Sequence, residues 1–216
     1  MREIKTGLIT STIKQMAIEA ACFIPDEVLA ALKEAVKKEE SPIGKEVLQQ
    51  LIKNNELARE KQMPICQDTG TAVVFVEFGQ EAHITGGCPS PIRSSGTAED
   101  GNLYDAINEG IRQGYTEGYL RKSIVADPLN RKNTGDNTPA AIHIELVPGD
   151  KLKLTLLPKG GGSENMGKLK MLPPSAGVEG VKKFVLESVK EAGSIPCPPT
   201  VVGVGIGGTF DGVERG

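Results

Sequence analysis

The chain has 216 residues, with 25 Lys and Arg against 28 Asp and Glu, and a formal net charge of -3. This length can bury a sizeable core, whereas the balanced charge provides no basic surface for nucleic acid or an anionic membrane. No run of apolar residues approaches the roughly 20 positions that a membrane helix needs. The composition therefore favours a globular protein that acts on small molecules, and its 26 glycines indicate many turns or close backbone contacts.

The first sixty residues have the apolar spacing of helices. Apolar side chains recur every three or four positions between residues 10 and 40, and Pro25 followed by two acids is typical of a helix start. A further helix is predicted over residues 45–61. The charged first ten residues do not resemble a signal peptide, and four scattered cysteines suit a reducing compartment, so we expect a cytoplasmic protein.

From residue 63 onward the pattern mixes strands and helices. Residues 71–78 predict a buried strand, and residues 105–121 predict a helix with a ridge of glycines at every fourth position. Such a ridge allows close packing, either inside the chain or across an interface. We therefore predict a mixed α/β fold with an N-terminal helical region at residues 1–62 and a mixed α/β catalytic region at residues 63–216.

The second half of the chain contains three further strand patterns. Residues 140–147 and 151–157 flank a Pro-Gly-Asp turn, which predicts an antiparallel hairpin. After a helix predicted over residues 178–192, residues 200–206 predict a buried strand. The Gly-, Ser- and Pro-rich residues 86–102 are typical of an exposed loop, in which Cys88 has no evident role.

Several loops carry side chains suited to chemistry. Cys66 stands before Gln67 and Asp68 ahead of a strand, and its thiol is open to three interpretations: a nucleophile, a metal ligand or a buried packing residue. Cys197 lies between prolines and has the same packing alternative. The glycines at residues 160–162 can present N–H groups to an anion. Glycines at residues 203–208 have only a weak likeness to a dinucleotide fingerprint, because no helix follows them.

Six ordered segments together resemble the α subunit of iron–sulfur hydro-lyases, the class I fumarate hydratases and L(+)-tartrate dehydratases. They are PICQDTG at residues 64–70, LRKS at 120–123, NTGDNTPA at 133–140, KGGGSEN at 159–165, CPP at 197–199 and GIGGT at 205–209. The resemblance covers nearly the whole chain. It implies reversible hydration of fumarate to L-malate, a reaction of the tricarboxylic acid cycle, with dehydration of L(+)-tartrate to oxaloacetate as the alternative.

The resemblance also implies a cofactor and a set of site residues. Three cysteines of the family hold a 4Fe-4S cluster with one open iron, which acts as a Lewis acid on the substrate hydroxyl. Cys66 and Cys197 match two of these ligands. The remaining matches are Asp68 as a catalytic and substrate-binding residue, and Gln67, Arg121, Gly161, Asn165 and Lys168 as substrate-binding residues. Arg112 competes with Arg121 for the role of carboxylate-binding arginine.

One part of the family pattern has no counterpart here. By the resemblance, the third cluster cysteine and a histidine lie beyond Gly216, and further catalytic groups belong to a β subunit. Neither Cys22 nor Cys88 has the motif that would replace the missing ligand. We therefore expect a partial chain that needs a β subunit, forms a hetero-oligomer and neither holds an intact cluster nor turns over substrate alone. A non-catalytic binding or scaffold module is the alternative from another class.

Overall fold

The computed structural model describes residues 2–87, 102–197, 200–207 and 209. The chain divides into two compact units, Met1–Lys159 and Gly160–Gly216. The strands of the first unit are β1 (Arg2–Lys5), β2 (Thr71–Gly79), β3 (Ala82–Thr85), β4 (Ala141–Val147) and β5 (Leu152–Lys159). Its helices are α1 (Thr6–Cys22), α2 (Asp26–Lys38), α3 (Pro42–Lys61) and α4 (Leu103–Glu117). The second unit contains α5 (Gly161–Glu164) and α6 (Gly177–Ala192).

The core of the first unit lies between helices α1 and α4 and one face of a three-stranded sheet. The strand order is β4-β2-β5, with β4 parallel and β5 antiparallel to β2, while β1 and β3 form a separate parallel pair. Ala72, Val74 and Val76 alternate along β2 and are buried, as expected for a strand with one covered face. These findings confirm the predicted mixed α/β class. None of the described helices is long and apolar enough to cross a membrane.

The predicted antiparallel hairpin on either side of residues 148–150 is wrong. Both strands form, but β2 lies between them and pairs with each. The connection passes over the end of β2, where the Gly79 N–H donates to Lys151 O at 2.8 Å and the Glu81 N–H to Gly149 O at 2.9 Å. The Pro-Gly-Asp turn correctly predicted that the chain reverses between β4 and β5. It could not reveal that the more fully buried β2 lies between these two strands.

The predicted buried strand at residues 200–206 is also wrong. These residues form neither strand nor helix, and Val201 is 83% exposed and Ile206 74% exposed. A run of β-branched residues favours a strand only where a neighbouring strand and a covered face are present. The described part of the chain offers this run no pairing strand.

The glycine ridge of α4 packs inside the chain, against α1. A Cβ atom built on Gly110 would lie 2.7 Å from the Cβ of Ile13, and one on Gly114 would lie 3.0 Å from the Cβ of Ala17. No side chain larger than hydrogen fits at Gly110 without moving α1. The ridge therefore lets the two helices approach closely, and α4 places Arg112 and Tyr115 at fixed positions beside the sheet.

Three other predictions have clear outcomes. Strand β2 and helix α6 lie where the sequence predicts them, whereas α4 ends four residues earlier than expected. Cys88 and most of the predicted loop at residues 86–102 lie outside the described residues.

Candidate active site

Cys66, Gln67 and Asp68 lie in an irregular loop of the first unit, residues 65–70, which we call the cysteine loop. Its first residue is tied to two helices. The Ile65 N–H donates to Ala21 O of α1 at 2.9 Å, and its carbonyl accepts from Asn54 Nδ2 of α3 at 2.8 Å. The start of the loop is therefore fixed to the helices on its N-terminal side.

The end of the cysteine loop is held by α4 and by a buried asparagine. The hydroxyl of Tyr115 lies 2.9 Å from Thr69 O, to which it donates, and 3.3 Å from Gly70 O. Asn137 Nδ2 donates to Gly70 O at 3.2 Å, and the Thr69 hydroxyl donates to Arg121 O at 3.1 Å. Both Thr69 and Gly70 are buried. The three residues at 66–68 are thus presented between two firmly bonded ends.

Asn137 also binds the arginine segment, residues 121–124. Its Oδ1 atom accepts N–H groups from Ser123 at 2.6 Å and from Ile124 at 3.3 Å. The side chain of Asn137 is fully buried, at 0% relative exposure. The side-chain amide of Asn137 therefore joins the cysteine loop to the arginine segment by hydrogen bonds to backbone atoms of both.

Asp68 has short contacts within the cysteine loop and affects the pKa of Tyr115. Asp68 Oδ1 accepts the Gly70 N–H at 3.1 Å, and the Asp68 N–H donates to Cys66 Sγ at 3.5 Å. Burial, assisted by the negative charge of Asp68, raises the pKa of Tyr115 to about 12. The phenol therefore remains protonated at neutral pH and acts as a hydrogen-bond donor.

The two candidate arginines have different surroundings. Arg112 is largely buried, pairs with Glu109 and donates from Nε to Asp136 Oδ2 at 3.0 Å. Burial alone would raise the pKa of Asp136, but hydrogen bonds from Thr138 and the Arg112 guanidinium outweigh it and lower that pKa. Arg121 is exposed, and its guanidinium has no ion-pair partner within the described residues. Arg112 is thus already paired with two carboxylates, whereas Arg121 is accessible to an external one.

The remaining predicted site residues belong to the second unit. Gly161 begins the short α5, and Asn165 caps its C-terminal end. Residues 160–162 form what we call the glycine loop. A Cβ atom built on Gly162 would lie 2.4 Å from Ile195 O, so this loop contacts the backbone that leads to Cys197. The structure therefore brings the glycine loop and the Cys197 segment together. Lys168 forms an ion pair with Glu191 of α6 at 3.2 Å.

The cysteines differ in exposure. Cys22 is 1% exposed, and burial raises the pKa of its thiol, which makes it a packing residue. Cys66 is partly exposed and Cys197 is exposed. Among the described residues, no group of three His, Cys, Asp or Glu side chains is arranged to hold a metal ion. Pro198 and Pro199, which complete the Cys-Pro-Pro motif, lie outside the described residues.

Comparison with known proteins identifies the family. The model of the fumarate hydratase (Fumerase) family matches residues 10–215. The chain belongs to this hydro-lyase family. A Methanocaldococcus jannaschii protein named "Putative L(+)-tartrate dehydratase subunit alpha" is 42% identical over 209 residues, which cover 94% of this chain and 68% of that protein.

Bacterial relatives carry the same kind of name. The L(+)-tartrate dehydratase subunit alpha of Escherichia coli strain UTI89 is 30% identical, and that of Shigella sonnei is 29% identical. Each match covers 92% of this chain and 61% of the relative. The chain thus spans somewhat under two thirds of the length of these hydro-lyase α subunits. The family assignment confirms the resemblance on which the predicted site residues depend.

Sequence reasoning missed two residues that hold the cysteine loop in place. Tyr115 lies within the helix predicted over residues 105–121, and Asn137 lies within the NTGDNTPA segment, but neither pattern indicates a role for the side chain. A polar residue inside a helical apolar stripe is a weak signal for a buried hydrogen-bond donor. Nothing in the spacing of Asn137 could reveal that its amide joins two loops.

Proposed function

We propose that the chain provides the larger part of a hydro-lyase α subunit, which removes water from a four-carbon hydroxy-dicarboxylate or adds it to the unsaturated product. The observation that carries this proposal is the anchored cysteine loop next to the arginine segment. Hydrogen bonds to backbone atoms place a loop that carries a thiol, an amide and a carboxylate beside the segment that carries the exposed Arg121. A β subunit supplies further groups, in keeping with the naming of the relatives as α subunits.

The first unit's own residues suit the recognition of a hydroxy-dicarboxylate. Arg121 is exposed and carries a planar fork of N–H donors, which binds a carboxylate with two parallel hydrogen bonds. Gln67 is exposed one residue after Cys66 and can hydrogen-bond a hydroxyl or carboxylate. Asp68 accepts the Gly70 N–H, and its carboxyl group can order or assist a base.

The cysteines fit the cofactor that the family implies. Iron–sulfur clusters are held by thiolates, and Cys66 and Cys197 are the accessible thiols of the described residues, whereas Cys22 is buried and protonated. Cys66 and Cys197 would therefore hold a 4Fe-4S cluster together with one cysteine from elsewhere in the enzyme. Such a cluster supplies a Lewis acid that makes a substrate hydroxyl a better leaving group. The Asp68 N–H donates a hydrogen bond to Cys66 Sγ at 3.5 Å.

L(+)-tartrate is the substrate that the relatives' names favour. Fumarate and L-malate form the second candidate pair, because the matching family model is that of fumarate hydratase. The substrates differ by one hydroxyl group, and a site that hydrogen-bonds a hydroxyl discriminates strongly against the analogue that lacks it. The residues named above bind features that both substrates share.

Cluster binding can be tested by anaerobic reconstitution with iron and sulfide of the complete α subunit assembled with its β subunit. We expect a broad brown absorbance and bound iron, both lost in Cys66→Ala and in Cys197→Ala. Cys22→Ala is the matched control, because it removes a thiol from the core and should leave the iron content unchanged. Equal iron content in all four proteins would contradict the assignment of the ligands.

The substrate can be tested with the same reconstituted complex. L-tartrate and L-malate are offered separately, and oxaloacetate or fumarate formation is followed by absorbance. A higher kcat/KM for L-tartrate supports the first candidate and a higher value for L-malate the second. Loss of turnover in Arg121→Lys, which keeps the charge but not the fork, supports the role of Arg121. A cluster-free complex that turns over neither compound would instead favour a scaffold module.

A further inference from the structure

We infer that Tyr115 and Asn137 are positioning residues of the proposed hydro-lyase: they hold the cysteine loop at a fixed separation from the arginine segment. The inference rests on the proposed function, since its catalytic consequence needs a substrate that touches both loops. The contacts themselves lie entirely within the first unit, among described residues.

The side-chain amide of Asn137 carries both the donor and the acceptor that this connection uses. It donates to Gly70 O and accepts from the N–H groups of Ser123 and Ile124, so both ends of one planar group are used. An aspartate of the same shape would keep the acceptors but turn an oxygen toward Gly70 O. The backbone of Asn137 has φ of 62°, a left-handed conformation in which Asn is one of the few favoured side chains.

Tyr115 supplies an independent connection from a different element. It reaches Thr69 O and Gly70 O from α4, and its ring is 1% exposed within the core. Helix α4 is itself pressed against α1 by the glycine ridge. The position of the Tyr115 hydroxyl is therefore set by the packing of two helices and not by a mobile side chain.

These two connections bear directly on the site. Gly70 O is the common acceptor of Asn137 and, more weakly, of Tyr115, and Gly70 N–H donates to Asp68. A shift of Gly70 would move Asp68 and Cys66 relative to Arg121. Because a dicarboxylate must touch both loops at once, such a shift lowers the fraction of bound substrate in the reactive geometry.

The test compares isosteric variants that each remove one connection. Tyr115→Phe removes the donor to Thr69 O and keeps the ring, and Asn137→Asp removes the donor to Gly70 O and keeps the shape. The matched control is Asn108→Asp. Asn108 is also a buried amide, which donates to Tyr104 O at 2.9 Å and accepts the Ala140 N–H at 2.8 Å, and neither partner belongs to the cysteine loop or the arginine segment.

In the reconstituted complex we expect kcat to fall by about 10- to 100-fold in Tyr115→Phe and Asn137→Asp, with a much smaller change in KM. Asn108→Asp lowers thermal stability by a similar amount and leaves kcat within about twofold. A purely structural role of Tyr115 and Asn137 predicts the same kinetics for all three variants, and that outcome overturns the inference. If Asn137→Asp does not fold, Tyr115→Phe decides alone.

A second measurement does not depend on turnover. Amide hydrogen exchange at residues 66–70 and 121–124, and the rate at which iodoacetamide alkylates Cys66 in the cluster-free complex, should rise by about tenfold in both site variants. They should not rise in Asn108→Asp. Unchanged exchange and alkylation overturn the inference even in an active enzyme. Faster exchange together with a wild-type complex that turns over no substrate supports the connection and contradicts the proposed function alone.

Discussion

The two units of the chain support their loops in different ways. In the first unit, fourteen buried apolar residues form one cluster, and the cysteine loop is hydrogen-bonded to helices α1, α3 and α4. In the second unit, Ala192 is the only buried residue among those described, and large apolar side chains such as Val178 and Leu186 are 69% and 71% exposed. The first set of site residues is therefore supported by a core, and the second set by backbone contacts.

This difference indicates which of the candidate site residues the first unit holds in place by its own packing. Burial of apolar area is the main stabilising contribution to a fold, so a unit that buries little has a low free energy of local unfolding. The contact between Gly162 and Ile195 keeps the glycine loop next to the Cys197 segment but adds little to the stability of either. We therefore expect the cysteine loop to be ordered before any cofactor binds, and the glycine loop to gain order from its partners.

A Val→Ala substitution in each unit gives the largest expected difference between them. Val74 is 0% exposed in the first unit, and Val201 is 83% exposed in the second. We expect Val74→Ala to lower the free energy of unfolding by about 2 kcal/mol, because it leaves a cavity behind β2. Val201→Ala should change it by less than about 0.5 kcal/mol. Urea unfolding followed by circular dichroism measures both, and equal losses would mean that the second unit buries Val201 in solution.

Glycines provide a second comparison, with a smaller expected effect. Gly110→Ala places a methyl group against Ile13 and should destabilise the chain by about 1–2 kcal/mol, since overpacking outweighs the gain in helix propensity. Leaving out the chain neighbours and the helix's own backbone, no atom of the described residues lies within 4 Å of a Cβ built on Gly203 in the second unit, or on Gly7 in α1. Gly203→Ala should be neutral, and Gly7→Ala, the control for helix propensity, neutral or stabilising. A melting temperature unchanged by Gly110→Ala would argue against close packing of α1 and α4.

The same contrast explains how much of the structure the sequence could predict. Local patterns sufficed for β2, for α6 and for the glycine ridge, because each depends on the spacing of residues in one segment. They failed at the β4–β5 connection and at residues 200–206, because strand pairing depends on distant segments that compete for the same edge. At the candidate site, the motifs predicted Cys66 and Arg121, whose roles stay predictions. Buried Asn137 escaped because a hydrogen bond 67 residues away along the chain leaves no local trace.

Ion pairs give the smallest effect and also test the electrostatics of the first unit. The side chains of Asp136 and Arg112 are 26% and 23% exposed, whereas those of Lys168 and Glu191 in the second unit are 43% and 66% exposed. We expect Asp136→Asn to cost about 1 kcal/mol at pH 7, because Arg112 loses a charged partner. Glu191→Gln should cost less than about 0.5 kcal/mol, since solvent screens an exposed pair.

The dependence on pH separates this ionic contribution from a steric effect of the substitution. Because the pKa of Asp136 is lowered in the folded chain, its contribution to stability is present above the ordinary carboxyl pKa of about 4. It is lost as the pH falls through the lower folded value. The gap between wild type and Asp136→Asn should therefore be constant from pH 6 to pH 8 and shrink below about pH 4. A gap that persists unchanged in acid would show that the asparagine disturbs the turn at Thr138, and not the pair with Arg112.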